Sequence, residues 1–171
     1  MELADGGDLY KKIEEHKKNR TKFHEAEIWE IFIQILKALK TLHELNILHR
    51  DLKCANVFLN EDGTVKLGDL NVSKVAKQGL VNTQTGTPYY ASPEVWKDKP
   101  YDYRSDIWSL GCVLYEMITL SPPFTANSME QLCNRVLKGS YTPIPKTYSS
   151  DLSTVVATLL QVAAKKRPSC E

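Results

Sequence analysis

Residues 49–56 read His-Arg-Asp-Leu-Lys-Cys-Ala-Asn, and a further aspartate, Asp69, follows thirteen positions after this segment. Between them lie two short runs of β-forming residues, 57–60 and 65–68, joined by a turn at 61–64. We therefore predict a tight hairpin with a charged loop on each side. Charged loops held by a rigid element are a common place for chemistry.

Apolar residues at helical spacing predict that the rest of the chain is mainly α. Asp8 can cap a short helix at 8–19, and apolar side chains three and four positions apart predict a long core-facing helix at 24–46. The polar segment 69–94 has little periodicity, so we expect a loop that is ordered by its contacts. Three more helices, separated by prolines, are predicted at 104–120, 128–138 and 151–162.

Length and composition favour one folded domain. The chain has 171 residues, of which 42% are hydrophobic and 25% charged, enough to bury a core. A formal charge of +1 gives no overall attraction to nucleic acid, and the longest apolar stretch, 107–118, is too short to span a membrane. The cysteines show no CxxC pairing, and they predict free thiols in a reducing compartment: Cys54, Cys112, Cys133 and Cys170.

Two more motifs stand downstream of the hairpin. Residues 86–94 read Gly-Thr-Pro-Tyr-Tyr-Ala-Ser-Pro-Glu, and residues 105–111 read Ser-Asp-Ile-Trp-Ser-Leu-Gly. Together with 49–56 and Asp69, they resemble in order and spacing the activation segment, buried helix, catalytic loop and metal-binding aspartate of protein kinases. The residues at 53–56 and 86–94 are similar to those of the NIMA-related (NEK) Ser/Thr kinases.

The resemblance covers the whole chain and implies a mainly α fold: a kinase-like C-terminal lobe with a short β-hairpin beside the catalytic loop. Residues 1–171 would be a partial kinase domain that starts at the hinge. The sequence has no glycine-rich phosphate loop, no Val-Ala-Ile-Lys-like strand and no helix glutamate to pair with that lysine. We therefore expect the chain alone to bind ATP weakly and to transfer phosphate slowly or not at all.

The resemblance assigns the chemistry to four residues, with ATP and Mg²⁺ as cofactors. Asp51 would orient the acceptor hydroxyl and accept its proton, and Lys53 would contact the transferred phosphate of ATP. Asn56 and Asp69 would hold Mg²⁺, a hard cation that prefers oxygen ligands. The lysine also points to Ser/Thr rather than Tyr acceptors. Taken singly, each aspartate or asparagine could instead cap a turn.

Regulation by phosphorylation is a second implication of the resemblance. Arg50 and Lys74 would form a cationic pocket for a phosphate on the activation loop. Thr83 is the first candidate to carry that phosphate and Thr85 the second, and the alternative is an unmodified loop hydroxyl. Thr87 resembles the threonine that bridges the catalytic aspartate and lysine.

Further residues are implied to support the site. Glu94 resembles a glutamate that pairs with a distant arginine, and Arg167 stands where that arginine belongs. Asp106 is expected beneath the catalytic loop, accepting backbone hydrogen bonds, and His49 is expected to pack rather than to bind a metal with a cysteine. Residues 69–71 read Asp-Leu-Asn where the family usually has Asp-Phe-Gly, which predicts altered switching with the metal-binding carboxylate retained.

The implied function is transfer of the ATP γ-phosphate to Ser/Thr hydroxyls of protein substrates, with no nucleic-acid partner. The alternative is an inactive C-terminal lobe that binds proteins, using its substrate-docking face and the predicted helix at 128–138. The resemblance also implies a cytoplasmic protein, with the cytoskeletal, centrosomal or ciliary association common in that family. Absence of the other lobe would expose apolar surface through which the chain could self-associate.

Overall fold

The structure, a computed structural model, describes residues 5–69, 88–100 and 102–170. A two-stranded antiparallel hairpin, β1 (Val57–Leu59) and β2 (Val65–Leu67), accompanies a mostly helical body. Short 3₁₀ turns lie at Cys54–Asn56 and Ala164–Lys166. Within the described ranges, no helix is both long and apolar enough to cross a bilayer. The α-helices are α1 (Leu9–Asn19), α2 (Glu25–Glu44), α3 (Pro93–Trp96), α4 (Tyr103–Thr119), α5 (Met129–Lys138) and α6 (Ser150–Leu159).

Helix α4 runs through the middle of the core. Its residues 105–118 are all buried, and it packs against both α2 and α6. Gly111 permits the close approach of α6, because an added Cβ would lie 2.9 Å from Cβ of Leu159 and 2.9 Å from Cδ2 of Leu160. A helix buried on all sides is a rigid support for the loops that cross its ends.

The hairpin is fastened to the helical body through Gln34 of α2. Its amide nitrogen donates a hydrogen bond to the Gly63 carbonyl at 3.0 Å, and its amide oxygen accepts one from the Val65 N–H at 2.9 Å. The strand register pairs Val57 with Leu67. The two ends of the hairpin, where the charged loops attach, are therefore held side by side.

Helix α1 begins where the sequence predicts and packs beside the hairpin. The Asp8 carboxylate accepts a hydrogen bond from the Lys11 N–H at 2.8 Å, the contact expected of an N-cap aspartate. Asp8 also forms a bridge with Phe58 of β1. The cap therefore sets the start of α1 and its position against the strand.

The predicted helices and strands are confirmed, with ends that differ by at most three residues. The mainly helical composition with one small antiparallel sheet is confirmed as well. The four cysteines are free thiols, as expected. One expectation is wrong: the segment 69–94 is not loop to its end, because α3 begins at Pro93. A proline at the first helical position is a helix-start signal, because its missing N–H would have no partner there in any case.

Candidate active site

Asp106 anchors the loop at 49–56 from inside the protein. This carboxylate lies in the first turn of α4, is fully buried, and accepts hydrogen bonds from the N–H groups of His49 and Arg50, each at 3.0 Å. Arg50 adopts a left-handed backbone conformation with φ of 67°, which is unfavourable for a residue with a side chain. The two hydrogen bonds hold that conformation and so fix the backbone immediately before Asp51.

His43 of α2 contacts the same carboxylate. Its Nε2 atom lies 2.8 Å from Oδ2 of Asp106. Burial lowers the pKa of His43, but the hydrogen bond to Asp106 and the contacts with Cys170 outweigh it and raise the pKa to about 9. At neutral pH His43 is therefore an imidazolium that balances the buried negative charge of Asp106.

His49 lies inside the protein and packs, as the resemblance implies. It is fully buried, and its Nδ1 accepts a hydrogen bond from the Asp51 N–H at 3.4 Å. Burial lowers the pKa of His49, so the ring is neutral at neutral pH. Cys54 directs its thiol at Glu116 instead. In the described part of the chain, no three His, Cys, Asp or Glu side chains are grouped to hold a metal.

Asp51, Lys53 and Asn56 form one hydrogen-bonded group on the loop. The Asp51 Oδ2 atom accepts from the Lys53 ammonium at 2.9 Å and from the Asn56 amide at 3.1 Å. The same amide nitrogen donates to the Asp51 carbonyl at 2.8 Å. Asn56 is buried, whereas the side chains of Asp51 and Lys53 are 29% and 35% exposed. The carboxylate is therefore oriented from within and open to solvent on its other side.

Asp69 is brought to this group by the hairpin. The Gly68 N–H donates to the Asn56 carbonyl at 3.0 Å, so the residue that follows β2 stands beside the residue that precedes β1. Gly68 leaves room for the Phe58 ring, because an added Cβ would lie 2.3 Å from Cε2 of Phe58. Asp69 itself is exposed and has a left-handed φ of 57°. The hairpin thus places Asp69 directly after a residue that is hydrogen-bonded to Asn56.

Several predicted residues fall in the stretch for which the structure gives no description, 70–87. Arg50 is exposed on the loop, but its expected partner in the phosphate pocket, Lys74, lies outside the described residues. The same holds for the two residues that follow Asp69 in the 69–71 motif. The candidate phosphorylation sites and the bridging threonine also lie there: Thr83, Thr85 and Thr87.

Glu94 and Arg167 are joined by two hydrogen bonds. Nη1 of Arg167 lies 2.6 Å from Oε1 of Glu94, and Nη2 lies 2.8 Å from Oε2. Burial raises the pKa of Glu94, but the hydrogen bonds from Arg167 and Ser105 outweigh it and lower the pKa to about 2. The arginine also donates to the Arg104 carbonyl at 2.7 Å. This pair ties α3 and the start of α4 to the C-terminal segment.

A second buried acid, Glu116, was missed by the sequence analysis. It lies in α4 and is 2% exposed, and its Oε2 accepts hydrogen bonds from the Tyr90 hydroxyl at 2.5 Å and the Cys54 thiol at 3.4 Å. Burial raises the pKa of Glu116. Its position within an apolar helical stretch was the available signal, since a charged residue there must find buried polar partners.

Comparison with known proteins agrees with this geometry. Residues 1–171 match the protein kinase domain family. The chain belongs to the protein kinase family. It is 44% identical over 171 residues to the mouse serine/threonine-protein kinase Nek4, and 44% identical over 171 residues to mouse Nek1. It is also 45% identical over 172 residues to the probable serine/threonine-protein kinase nek2 of Dictyostelium discoideum.

These relatives place the chain among the NIMA-related kinases, as the motifs imply. The alignments cover 98 to 99% of this chain but 21%, 14% and 41% of mouse Nek4, mouse Nek1 and the Dictyostelium protein, respectively. The chain therefore spans less than half the length of each. Protein kinases in general use ATP and Mg²⁺.

Proposed function

We propose that this chain supplies the C-terminal lobe of a Ser/Thr protein kinase domain, which transfers the ATP γ-phosphate to hydroxyls of protein substrates. The observation that carries the proposal is the hydrogen-bonded group of Asp51, Lys53 and Asn56 beside Asp69. Phosphoryl transfer needs mainly positioning and charge neutralisation. A buried amide, an ammonium and two carboxylates at one edge supply both.

Asp51 is the residue that orients the acceptor hydroxyl. Its Oδ2 atom is held by Lys53 and Asn56, so the carboxylate does not need to find its orientation when substrate arrives. Its exposed side can accept a hydrogen bond, and finally the proton, from a serine or threonine hydroxyl. The Lys53 ammonium lies 2.9 Å from that carboxylate, where it can also contact the phosphate in transit.

The donor set fits Mg²⁺. The Asn56 amide nitrogen serves Asp51, so the amide oxygen is the atom that would bind the cation, and Asp69 would add a carboxylate oxygen. Magnesium in such sites takes one or two protein carboxylates, with phosphates and waters completing its shell. When bound with ATP, it neutralises charge on the phosphate oxygens. The Asn56–Gly68 hydrogen bond holds the backbone next to the two proposed ligands side by side, just beyond the ends of β1 and β2.

A phosphate on the activation segment would regulate this site. The Asp106 hydrogen bond fixes Arg50 directly before Asp51, so an anion bound by Arg50 and Lys74 would act on the catalytic backbone itself. Thr83 remains the first candidate for that phosphate, and Thr85 the second. Thr87 is proposed to bridge Asp51 and Lys53.

The experiment measures phosphate transfer to a degenerate Ser/Thr peptide library by the protein made from the complete reading frame that contains these residues. Asp51→Asn should lower transfer by about 10²–10⁴-fold, the usual contribution of a positioned base. Asp69→Ala should abolish Mg·ATP binding in calorimetry. Asp151→Asn is the matched control, because Asp151 is exposed on α6, and it should leave both quantities unchanged.

The alternative, an inactive lobe that binds proteins, makes the opposite prediction. Under this alternative, the complete protein should transfer no phosphate, and Asp69→Ala should have no effect on Mg·ATP binding. Tight Mg·ATP binding by residues 1–171 alone would contradict the partial-domain interpretation, because it would show that this lobe needs no further groups to clamp the nucleotide.

A further inference from the structure

Glu116 joins two parts of the chain that lie far apart in the sequence. Its Oε2 atom accepts hydrogen bonds from the Tyr90 hydroxyl at 2.5 Å and from the Cys54 thiol at 3.4 Å. Tyr90 belongs to the segment that precedes α3, whereas Cys54 begins the 3₁₀ turn at the end of the loop at 49–56. Both donors therefore meet at one atom of one side chain. The proposed phosphoryl transfer does not yet give this contact a role.

The carboxylate that accepts both donors has little freedom to move. Glu116 is 2% exposed, and it lies in the part of α4 that is buried on all sides. Protein interiors of this kind are close-packed. A buried carboxylate also depends on its polar partners, because water does not replace them there. Glu116 is therefore a fixed point to which both segments are attached.

Tyr90 is attached to α4 at two points. Its side chain reaches Glu116, and its backbone carbonyl accepts a hydrogen bond from the Ser109 hydroxyl at 3.0 Å. Ser109 precedes Glu116 by about two turns of the same helix, so the two contacts come from one side of α4. Loss of the hydroxyl contact would leave Tyr90 held through its backbone alone.

Cys54 lies within the group of residues proposed to carry out the chemistry. It follows Lys53 directly, and the Asn56 N–H donates to the Lys53 carbonyl at 3.0 Å, which closes the turn around Cys54. The Asn56 side chain in turn donates to Asp51. A shift of Cys54 would therefore displace the side chains that orient the acceptor hydroxyl. A displacement of about 1 Å can lower a rate about 100-fold.

We propose that Glu116 is a positioning residue, which couples the segment at 88–92 to the loop at 49–56 through Tyr90 and Cys54. This inference rests on the proposed kinase function and deepens it. The coupling requires both hydrogen bonds, because either one alone attaches a single segment to α4 and leaves the other free to shift. Two independent supports would behave differently, since each would keep its own effect when the other is lost.

Amide hydrogen exchange followed by mass spectrometry tests the coupling without any measurement of catalysis. Tyr90→Phe deletes one of the two donors, and exchange across residues 53–56 should become about fivefold faster, as expected when a hydrogen bond that restrains a loop is lost. Unaltered exchange at 53–56 in a folded Tyr90→Phe variant would overturn the proposal.

Tyr115→Phe is the matched control for this measurement. It deletes the same hydroxyl from a buried tyrosine of α4, whose partner is the Thr142 carbonyl at 2.8 Å rather than Glu116. Exchange across 53–56 and phosphate transfer should both stay at the values of the parent protein. An equal acceleration at 53–56 in Tyr90→Phe and Tyr115→Phe would contradict the proposal, because it would show a general loosening of the core.

Phosphate transfer to the peptide library by the complete protein gives the second readout. Tyr90→Phe and Cys54→Ala should each lower kcat/KM about tenfold. The double variant should be no slower than the slower single variant, because the first substitution already breaks the link. Effects that multiply to about 100-fold would instead show two separate supports, and the proposal would fail.

Two substitutions of Glu116 separate its role as an acceptor from its role in packing. Glu116→Leu removes the acceptor and should be as slow as the double variant, whereas Glu116→Gln keeps a carbonyl oxygen for both donors and should be faster than Glu116→Leu. Equal rates for these two variants, when both are folded, would count against the shared acceptor. A parent protein with no transfer would contradict the kinase proposal alone, because exchange at 53–56 would still decide the coupling.

Discussion

Asp106 Oδ2 lies 2.8 Å from His43 Nε2, and the same carboxylate accepts the backbone N–H groups of His49 and Arg50. One buried side chain thus joins α2, α4 and the loop at 49–56. A carboxylate with no exposed surface is tolerated only when such partners satisfy it. The geometry of the loop therefore depends on a residue that has no exposed surface of its own.

Asp106→Ala should be strongly destabilising. The substitution leaves the His43 cation and two backbone N–H groups without their acceptor, and removing one partner of a buried pair costs about 3–5 kcal/mol. Urea denaturation followed by circular dichroism would measure the free energy of unfolding. Asp151→Ala, at an exposed position of α6, is the control, with little expected change. A loss below about 1 kcal/mol for Asp106→Ala would show that water replaces these contacts.

The His43–Asp106 pair should make stability depend on pH in the alkaline range. The pKa of His43 is raised from 6.5 to about 9 in the folded protein, so its contribution is fully present below pH 6.5 and is lost as pH rises through 9. We expect the free energy of unfolding of the parent protein to exceed that of His43→Gln by a margin that shrinks between pH 6.5 and 9. The other titrating groups are the same in both proteins, so their contributions to the free energy of unfolding cancel in this difference. A margin that is constant over this range would contradict the raised pKa.

Local features of the fold could be predicted from the sequence because their causes are local. Asp8 caps α1 through a residue three positions away. Apolar spacing defines α2, and a continuous apolar stretch marks α4. The hairpin follows from two short β-forming runs and a turn, and its register then places Asp69 near Asn56. These inferences need no knowledge of distant contacts.

The contacts that define the surroundings of the site could not be predicted in the same way. Cys170 meets His43 across 127 positions of sequence, and no periodicity or motif links the two residues. Glu116 could be recognised as out of place in an apolar helix, but its partner Tyr90 depends on how the chain packs after α3. Such pairs are products of tertiary packing, which local propensity does not specify.

Glu94→Gln should destabilise the protein at neutral pH and flatten its acid dependence. The pKa of Glu94 is lowered from 4.5 to about 2, mainly by hydrogen bonds from Arg167 and Ser105 against the effect of burial, so its contribution is present above pH 4.5 and is lost as pH falls through 2. The loss at pH 7 should be on the order of 3 kcal/mol. Chemical denaturation at pH 7, 4 and 3 would measure it.

The control for Glu94→Gln is Glu130→Gln, because Glu130 is exposed in the first turn of α5. It should change the free energy of unfolding by no more than about 0.5 kcal/mol. If Glu94→Gln is as mild as this control, the Glu94–Arg167 pair is replaceable by a neutral hydrogen bond and its charge contributes little.

Glu116→Gln should affect stability at neutral pH in the opposite direction from Glu94→Gln. Burial raises the pKa of Glu116 above 4.5, so folding favours its protonated form, and the stability linked to it is full below pH 4.5 and is lost as pH rises through the raised value. Glutamine keeps a carbonyl oxygen for the Tyr90 hydroxyl and the Cys54 thiol, which share one acceptor atom, and it carries no charge. We expect the melting temperature of Glu116→Gln at pH 7.5 to be equal to or higher than that of the parent protein. It should also depend less on pH between 4 and 8. A fall of more than about 4 °C, which corresponds to at least about 1 kcal/mol in a chain of this size, would show that the buried carboxylate is stabilised as an anion.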